Sequence, residues 1–216
     1  MALQAISKKA TLSDQAYEII KDAIITGSLI PGEVLAEERL AQQLEISRTP
    51  IKSALTRLLY ERIAELNSSG NIVVANITEE DVHDITIVRM RVEALAVELL
   101  ENKITDYQIS VLENLINKYS NVIENKGIEE MLECDYQFHT TIAEFTGNEF
   151  LIDTIRNANN IIKVYLMLSG TYEKYSIVAN EEHKMVVDYM RNGDFKRAKE
   201  AMAGHLDNVS HRMLIK

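Results

Sequence analysis

Four residues in the second half of the chain have the types and spacing to hold a metal ion. Asp135 and His139 are four apart in a segment of helical periodicity, so they share a face about 6 Å apart along the axis. Their neighbours on that face are Met131, Phe138 and Ile142. His183 shares a stripe with Val186, Val187 and Met190, and His205 shares one with Ala198, Ala201, Met202 and Val209. Three imidazoles and a carboxylate on apolar faces point into one core. A buried carboxylate needs hydrogen bonds or a cation. Any one of these residues alone reads as a satisfied core histidine or a surface pair. Their convergence favours a divalent metal, and imidazole admits Zn, Ni, Mn or Fe. His83 and His211 fall off the stripes, as surface residues do.

The elements that must position these residues are helices. Thr78-Glu79-Glu80-Asp81 has the form of a capping box. It opens a helix to about Asn102 with Ile85, Val88, Val92, Leu95, Ala96 and Leu99 inward. A second helix starts at Thr105, with a stripe at Ile109, Leu112, Leu115, Ile116, Tyr119 and Ile123. Gly127 and Gly147-Asn148 bound a third, about 128–146. The next carries Leu151, Ile155, Ala158, Ile162 and Leu166 and ends in a loop from Ser169 to Ser176. Helices over about 178–191 and from Asp194 nearly to the end complete the set, with Asn192-Gly193 between them. No strand pattern interrupts residues 77–216, so this part reads as an antiparallel all-α bundle.

Residues 1–76 read differently. A helical stripe at Leu12, Ala16, Ile19, Ile20 and Ala23 gives a first helix over about 11–27, and Ile30-Pro31-Gly32 is a turn. Two short helices follow, Glu37–Leu44 and about Arg48–Glu61. In the second, Ile51, Ala54, Leu55, Leu58 and Leu59 form one apolar face. Ser47 stands at the cap position and Pro50 in the first turn. Arg48, Thr49 and Lys52 then project from the positive end of that helix, with Thr56 and Arg57 farther along its polar face, an arrangement suited to phosphates and base edges. Two short apolar runs, Ile63–Leu66 and Ile72–Ala75, flank a polar tip that includes Ser69 and Gly70. A helix-turn-helix followed by a hairpin is a winged helix, whose second helix enters the major groove of double-stranded DNA.

Charge agrees with this division. The net charge is −10, of which residues 1–76 carry −1 and residues 77–216 carry −9. DNA contact must therefore rest on the local cations Arg48, Lys52 and Arg57, doubled by dimerisation, while the acidic part is held away from DNA. A single cysteine, Cys134, excludes an intramolecular disulfide framework. With no apolar stretch of membrane-spanning length and no signal peptide at MALQAISKKA, the chain reads as soluble and cytoplasmic.

The segment ITGSLIPGEVLAEERLAQQLEISRTPIKSALTRL resembles the DNA-binding domain of the GntR family of bacterial transcription regulators. The matching positions are Ile24, Gly27, Leu29, Pro31, Gly32 and Leu35, then Ser47 to Leu55. The chain departs from that pattern with Lys52 for an arginine, Glu45 where glycine is common, and an uncharged wing tip from Asn67 to Asn71. Asp135-Tyr-Gln-Phe-His139, Glu182-His183, Gly193-Asp194 with Ala198, and His205-Leu206 resemble the FCD effector domain of the FadR subfamily. The resemblance implies a metal held by Asp135, His139, His183 and His205, with open positions for a small carboxylate effector. It makes Arg89 the candidate second contact, through the Arg89-x-x-x-Glu93 spacing; an Arg89–Glu93 intrahelical pair is the competing reading. Arg91 and Arg156 are further candidates.

The expected function is that of a homodimeric regulator, a repressor in the family's commoner mode, binding a palindromic operator and responding to a small organic acid. Two other classes remain open on the residues alone. A His₃Asp metal with open positions can activate water, although no separate general base stands beside it. A structural metal in an adaptor whose winged helix no longer binds DNA is the other.

Overall fold

In a computed structural model, residues 10–125, 127–169 and 172–214 are described; the N-terminal stretch expected to be loose lies almost wholly outside them, as do Gly170 and Thr171 in the expected loop. The chain divides into two compact units between Asn76 and Ile77. Among the described residues no helix is long and apolar enough to cross a membrane.

The first unit begins with α1 (Leu12–Ile25), opened by Thr11 and Asp14 in a reciprocal capping box that satisfies two orphan N–H groups. Helices α2 (Glu37–Gln43) and α3 (Arg48–Tyr60) form the helix-turn-helix. Strands β1 (Ala64–Leu66) and β2 (Ile72–Val74) pair antiparallel with Ala64 opposite Val74. Val34 bridges to Val73 on the other edge of β2. The core is the apolar face anticipated for α3: Ile51, Ala54, Leu55 and Leu58 are buried with Tyr17, Ile20, Ile24 and Leu35.

Among its described residues the second unit has helices as its only regular elements: α4 (Glu79–Leu99), α5 (Asp106–Asn125), α6 (Ile128–Phe145), α7 (Glu149–Ser169), α8 (Tyr172–Arg191) and α9 (Phe195–Leu214). Thr78 and Asp81 form the capping box of α4. Helix α4 packs on α9, α7 and α6, and α8 packs on α9, α5 and α6. One apolar cluster gathers Leu112, Phe138, Ile155, Val186, Met202 and Leu206. A second holds Val82, Tyr119, Met131, Leu132, Cys134 and Ile162.

Two expectations are corrected here. Helix α8 starts at Tyr172 rather than near 178, because no residue between 172 and 178 breaks a helix once tertiary packing supports it. Helix α4 turns a different face inward: Val82, Thr86, Arg89, Glu93, Ala96 and Val97 are buried, while Val88 and Leu95 are exposed. A polar network on the inward side, described next, overrides the apolar stripe.

Candidate metal centre and nucleic-acid interface

Each proposed ligand sits on a long helix packed against the others. Helix α6 carries Asp135 and His139, α8 carries His183, and α9 carries His205. One donor atom from each of the four lies within 4.8 Å of every other, with all three histidines buried. His183 Nε2 is 3.0 Å from His205 Nε2 and 3.6 Å from Asp135 Oδ1. His139 Nε2 lies 3.9 Å from Asp135 Oδ2. That nitrogen is fully enclosed and has no hydrogen-bond partner. A buried, unpartnered imidazole nitrogen beside two others and a carboxylate is a donor set that a divalent ion fits.

The rings are oriented from behind. His139 Nδ1 meets Glu93 Oε2 at 2.5 Å, and Arg89 Nε donates to the other oxygen of Glu93 at 2.8 Å. Asn159 closes this group, accepting from Arg89 Nη2 at 2.7 Å and donating to Glu93 Oε1 at 3.2 Å. His205 Nδ1 meets Glu182 Oε2 at 2.8 Å, and Arg212 donates to both oxygens of Glu182. The Phe138 ring stacks on His183 with centroids 4.0 Å apart.

Electrostatics favour the ligand forms. Burial, then the neighbouring rings of His205 and His139 and the Arg89 guanidinium, holds His183 well below the usual imidazole range. Burial likewise lowers His205, against the pull of Glu182. Burial alone would raise Glu93, but Arg89 and His139 outweigh it and hold the carboxyl well below its usual value. Burial opposes ionisation of Glu182 too, and Arg212 and His205 overcome it, bringing the carboxyl to about 2.

All four metal candidates are thus brought together. Arg89 is buried, with its guanidinium on Glu93 and Asn159. Arg91 is exposed, and Arg156 pairs with Glu144 on the surface at 2.6 Å. His83 and His211 are exposed. Sequence reasoning missed Glu182, Arg212 and Asn159 as partners of the site and saw Glu93 only as a partner of Arg89. The available signals were a glutamate adjacent to His183 and an Arg/Glu pair at i, i+4.

In the first unit, Ser47, Arg48, Thr49, Lys52, Thr56, Arg57, Ser69 and Gly70 are all exposed. Ser47 occupies the N-cap position, but its hydroxyl makes no cap hydrogen bond, contrary to expectation. Arg48 pairs with Glu38 on the surface, and Thr56 Oγ1 donates to the Lys52 carbonyl at 2.8 Å. Arg57 is turned along the protein: its guanidinium lies 3.6 Å from the centre of the Tyr17 ring, and its Nε donates to Glu61 at 3.0 Å. At the wing tip Asn67 Oδ1 accepts from the N–H groups of Ser69 and Asn71, and Gly70 takes a positive φ of 78°.

Comparison with known proteins agrees with both units. The family described as bacterial regulatory proteins, gntR family, matches residues 12–74, and the FCD domain family matches residues 84–208. The gluconate operon transcriptional repressor of Bacillus licheniformis is 24% identical over 88% of this chain and 80% of its own. The transcriptional repressor RspR of Escherichia coli is 21% identical over 92% of this chain and 87% of its own. Among solved structures, E. coli McbR/YncC superposes with a TM-score of 0.81 at 20% identity, covering 94% of this chain and 98% of that one. The metal-free FCD domain of TM0439 superposes with a TM-score of 0.52 at 22% identity, covering 65% and 96%. These similar proteins are transcription regulators rather than enzymes.

Proposed function

This chain belongs to the GntR family of bacterial transcription regulators, with an FCD domain, and we propose that its helical unit senses a small carboxylate through a bound divalent metal. The observation that carries this reading is the enclosed quartet of Asp135, His139, His183 and His205, with His139 Nε2 unpartnered. Those four residues would hold the ion. Bound there, it supplies a Lewis-acidic centre with positions left for an exogenous ligand.

The charges around the quartet favour an anion as that ligand. Glu93 is offset by Arg89 and Glu182 by Arg212. Asp135 alone then opposes the double charge of the ion, and an anionic oxygen ligand closes the balance. A carboxylate would find a cation at Arg89 once that guanidinium shifts from Asn159.

At the other end of the chain, α3 is the element that would enter the major groove of operator DNA, with Arg48, Thr49 and Lys52 at its N-terminus. In a homodimer two such helices read a palindromic site. The ligand acts by population shift: it binds one arrangement of the dimer better than the other, and operator affinity changes by the same coupling free energy.

The test is binding of a DNA fragment from upstream of the protein's own gene, followed by fluorescence anisotropy. The metal-loaded protein should bind it specifically, a member of a panel of small carboxylates should change that affinity, and Arg48→Ala should abolish specific binding. Unchanged binding by Arg48→Ala would exclude α3 as the reading helix, and indifference to every carboxylate would exclude the sensor.

A further inference from the structure

Two of the three imidazoles at the centre are held by an acid that is itself held by an arginine. Arg89, Glu93 and His139 form one such chain, and Arg212, Glu182 and His205 the other. An ionised carboxylate only accepts hydrogen bonds, so the nitrogen that faces it must carry the proton. In a neutral imidazole the other nitrogen then bears the lone pair, and each ring turns that nitrogen toward the cluster. The arrangement is not what a merely structural ion pair needs. Arg89 and Glu93 could satisfy each other as an i, i+4 pair, yet Glu93 commits its second oxygen to His139. Glu182 likewise takes a bidentate Arg212 and still meets His205.

We propose that Glu93 and Glu182 are positioning residues of the metal site, each fixing one imidazole as the Nδ1–H tautomer with Nε2 free to bind the ion. The proposal rests on the metal reading above. The two chains tie different helices to the centre. Helix α4 supplies none of the four ligand candidates, and Glu93 is its connection to His139 on α6. Glu182 stands beside the ligand His183 on α8 and reaches across to His205 on α9. His183 has no such acid behind it: its Nδ1 is buried without a hydrogen-bond partner. Removal of an acid behind a ligating histidine lowers metal affinity by about 10- to 100-fold.

The experiment uses the full chain and zinc(II) as the probe ion. Competition against a chelating dye should show Glu93→Gln and Glu182→Gln each binding zinc about 10- to 100-fold more weakly than wild type. Glutamine keeps the shape and one acceptor oxygen but drops the charge. A second measurement needs no variant: the imidazole ¹⁵N spectrum of the metal-free wild-type protein should show His139 and His205 as Nδ1–H tautomers. Either histidine as the Nε2–H tautomer, or wild-type affinity in both variants, overturns the proposal while leaving the metal reading standing. A wild-type protein that binds no zinc overturns both.

Discussion

At Arg48 and Arg57 the same kind of side chain meets opposite surroundings. Arg48 and its partner Glu38 are both largely exposed, with side chains 59% and 80% accessible. Such a pair contributes little and exchanges readily for a phosphate. Arg57 lies over the Tyr17 ring and pairs with Glu61, which is buried and accepts the Tyr17 hydroxyl at 2.5 Å. Burial, then the bonded Glu61 carboxylate, pushes the Tyr17 phenol far up, so it remains a donor. Arg57→Ala should therefore cost about 1–2 kcal/mol in chemical denaturation, from the lost cation–π contact and a buried glutamate left with one partner. Arg48→Ala should leave that stability unchanged. Equal stability in the two variants would contradict this division of roles. Both arginines were visible in the sequence as polar-face residues of one helix. What separated them was Tyr17, 40 positions earlier, which periodicity cannot relate to α3.

Helix boundaries and helix faces were legible to different degrees. The cap of α4 was plain, because Thr78 and Asp81 act on their own backbone and need no distant partner, whereas Ser47 holds the N-cap position of α3 without making the cap hydrogen bond. The inward faces of α6, α8 and α9 were plain because their histidines sit among apolar residues. Helix α4 was misread because Arg89 and Glu93 are buried as a pair, and a stripe of apolar residues cannot report a charged core. The start of α8 was missed because its first turns carry few apolar residues. The turn between α2 and α3 gives a prediction at this scale. Glu45 adopts a φ of 54°, the left-handed region that costs a residue with a Cβ about 1–2 kcal/mol. Glycine escapes that cost but loses more chain entropy on folding. Glu45→Gly should raise stability by about 0.5–1 kcal/mol, and Glu45→Val should lower it. A less stable glycine variant would show that the turn relies on the glutamate side chain.

For the whole molecule, the polar centre makes stability depend on pH in a definite direction. His183 and His205 have folded-state values below the ordinary imidazole value, so the unfolded chain binds more protons as pH falls through about 6.5. Glu93 and Glu182 also sit below their ordinary value of 4.5, so their contribution is present above it and is lost as pH falls further. Both effects have the same sign. With a chelator present, stability should fall between pH 7.5 and 5.5 by up to about 1.4 kcal/mol per pH unit for each proton taken up, and fall again below pH 4.5. Denaturant titrations at fixed pH measure this, and a protein more stable at pH 5.5 than at 7.5 would contradict it.

The central claim is that Asp135, His139, His183 and His205 hold a metal, and elemental analysis of the untagged protein purified without chelators tests it most directly. The account predicts about one divalent ion per chain in the wild type and loss of that ion in Asp135→Ala, with the helical fold retained. A wild-type protein without metal, which also takes up none when zinc, nickel, manganese or iron(II) is supplied, would mean that the quartet is a hydrogen-bonded polar core and that the regulator recognises its ligand by other groups.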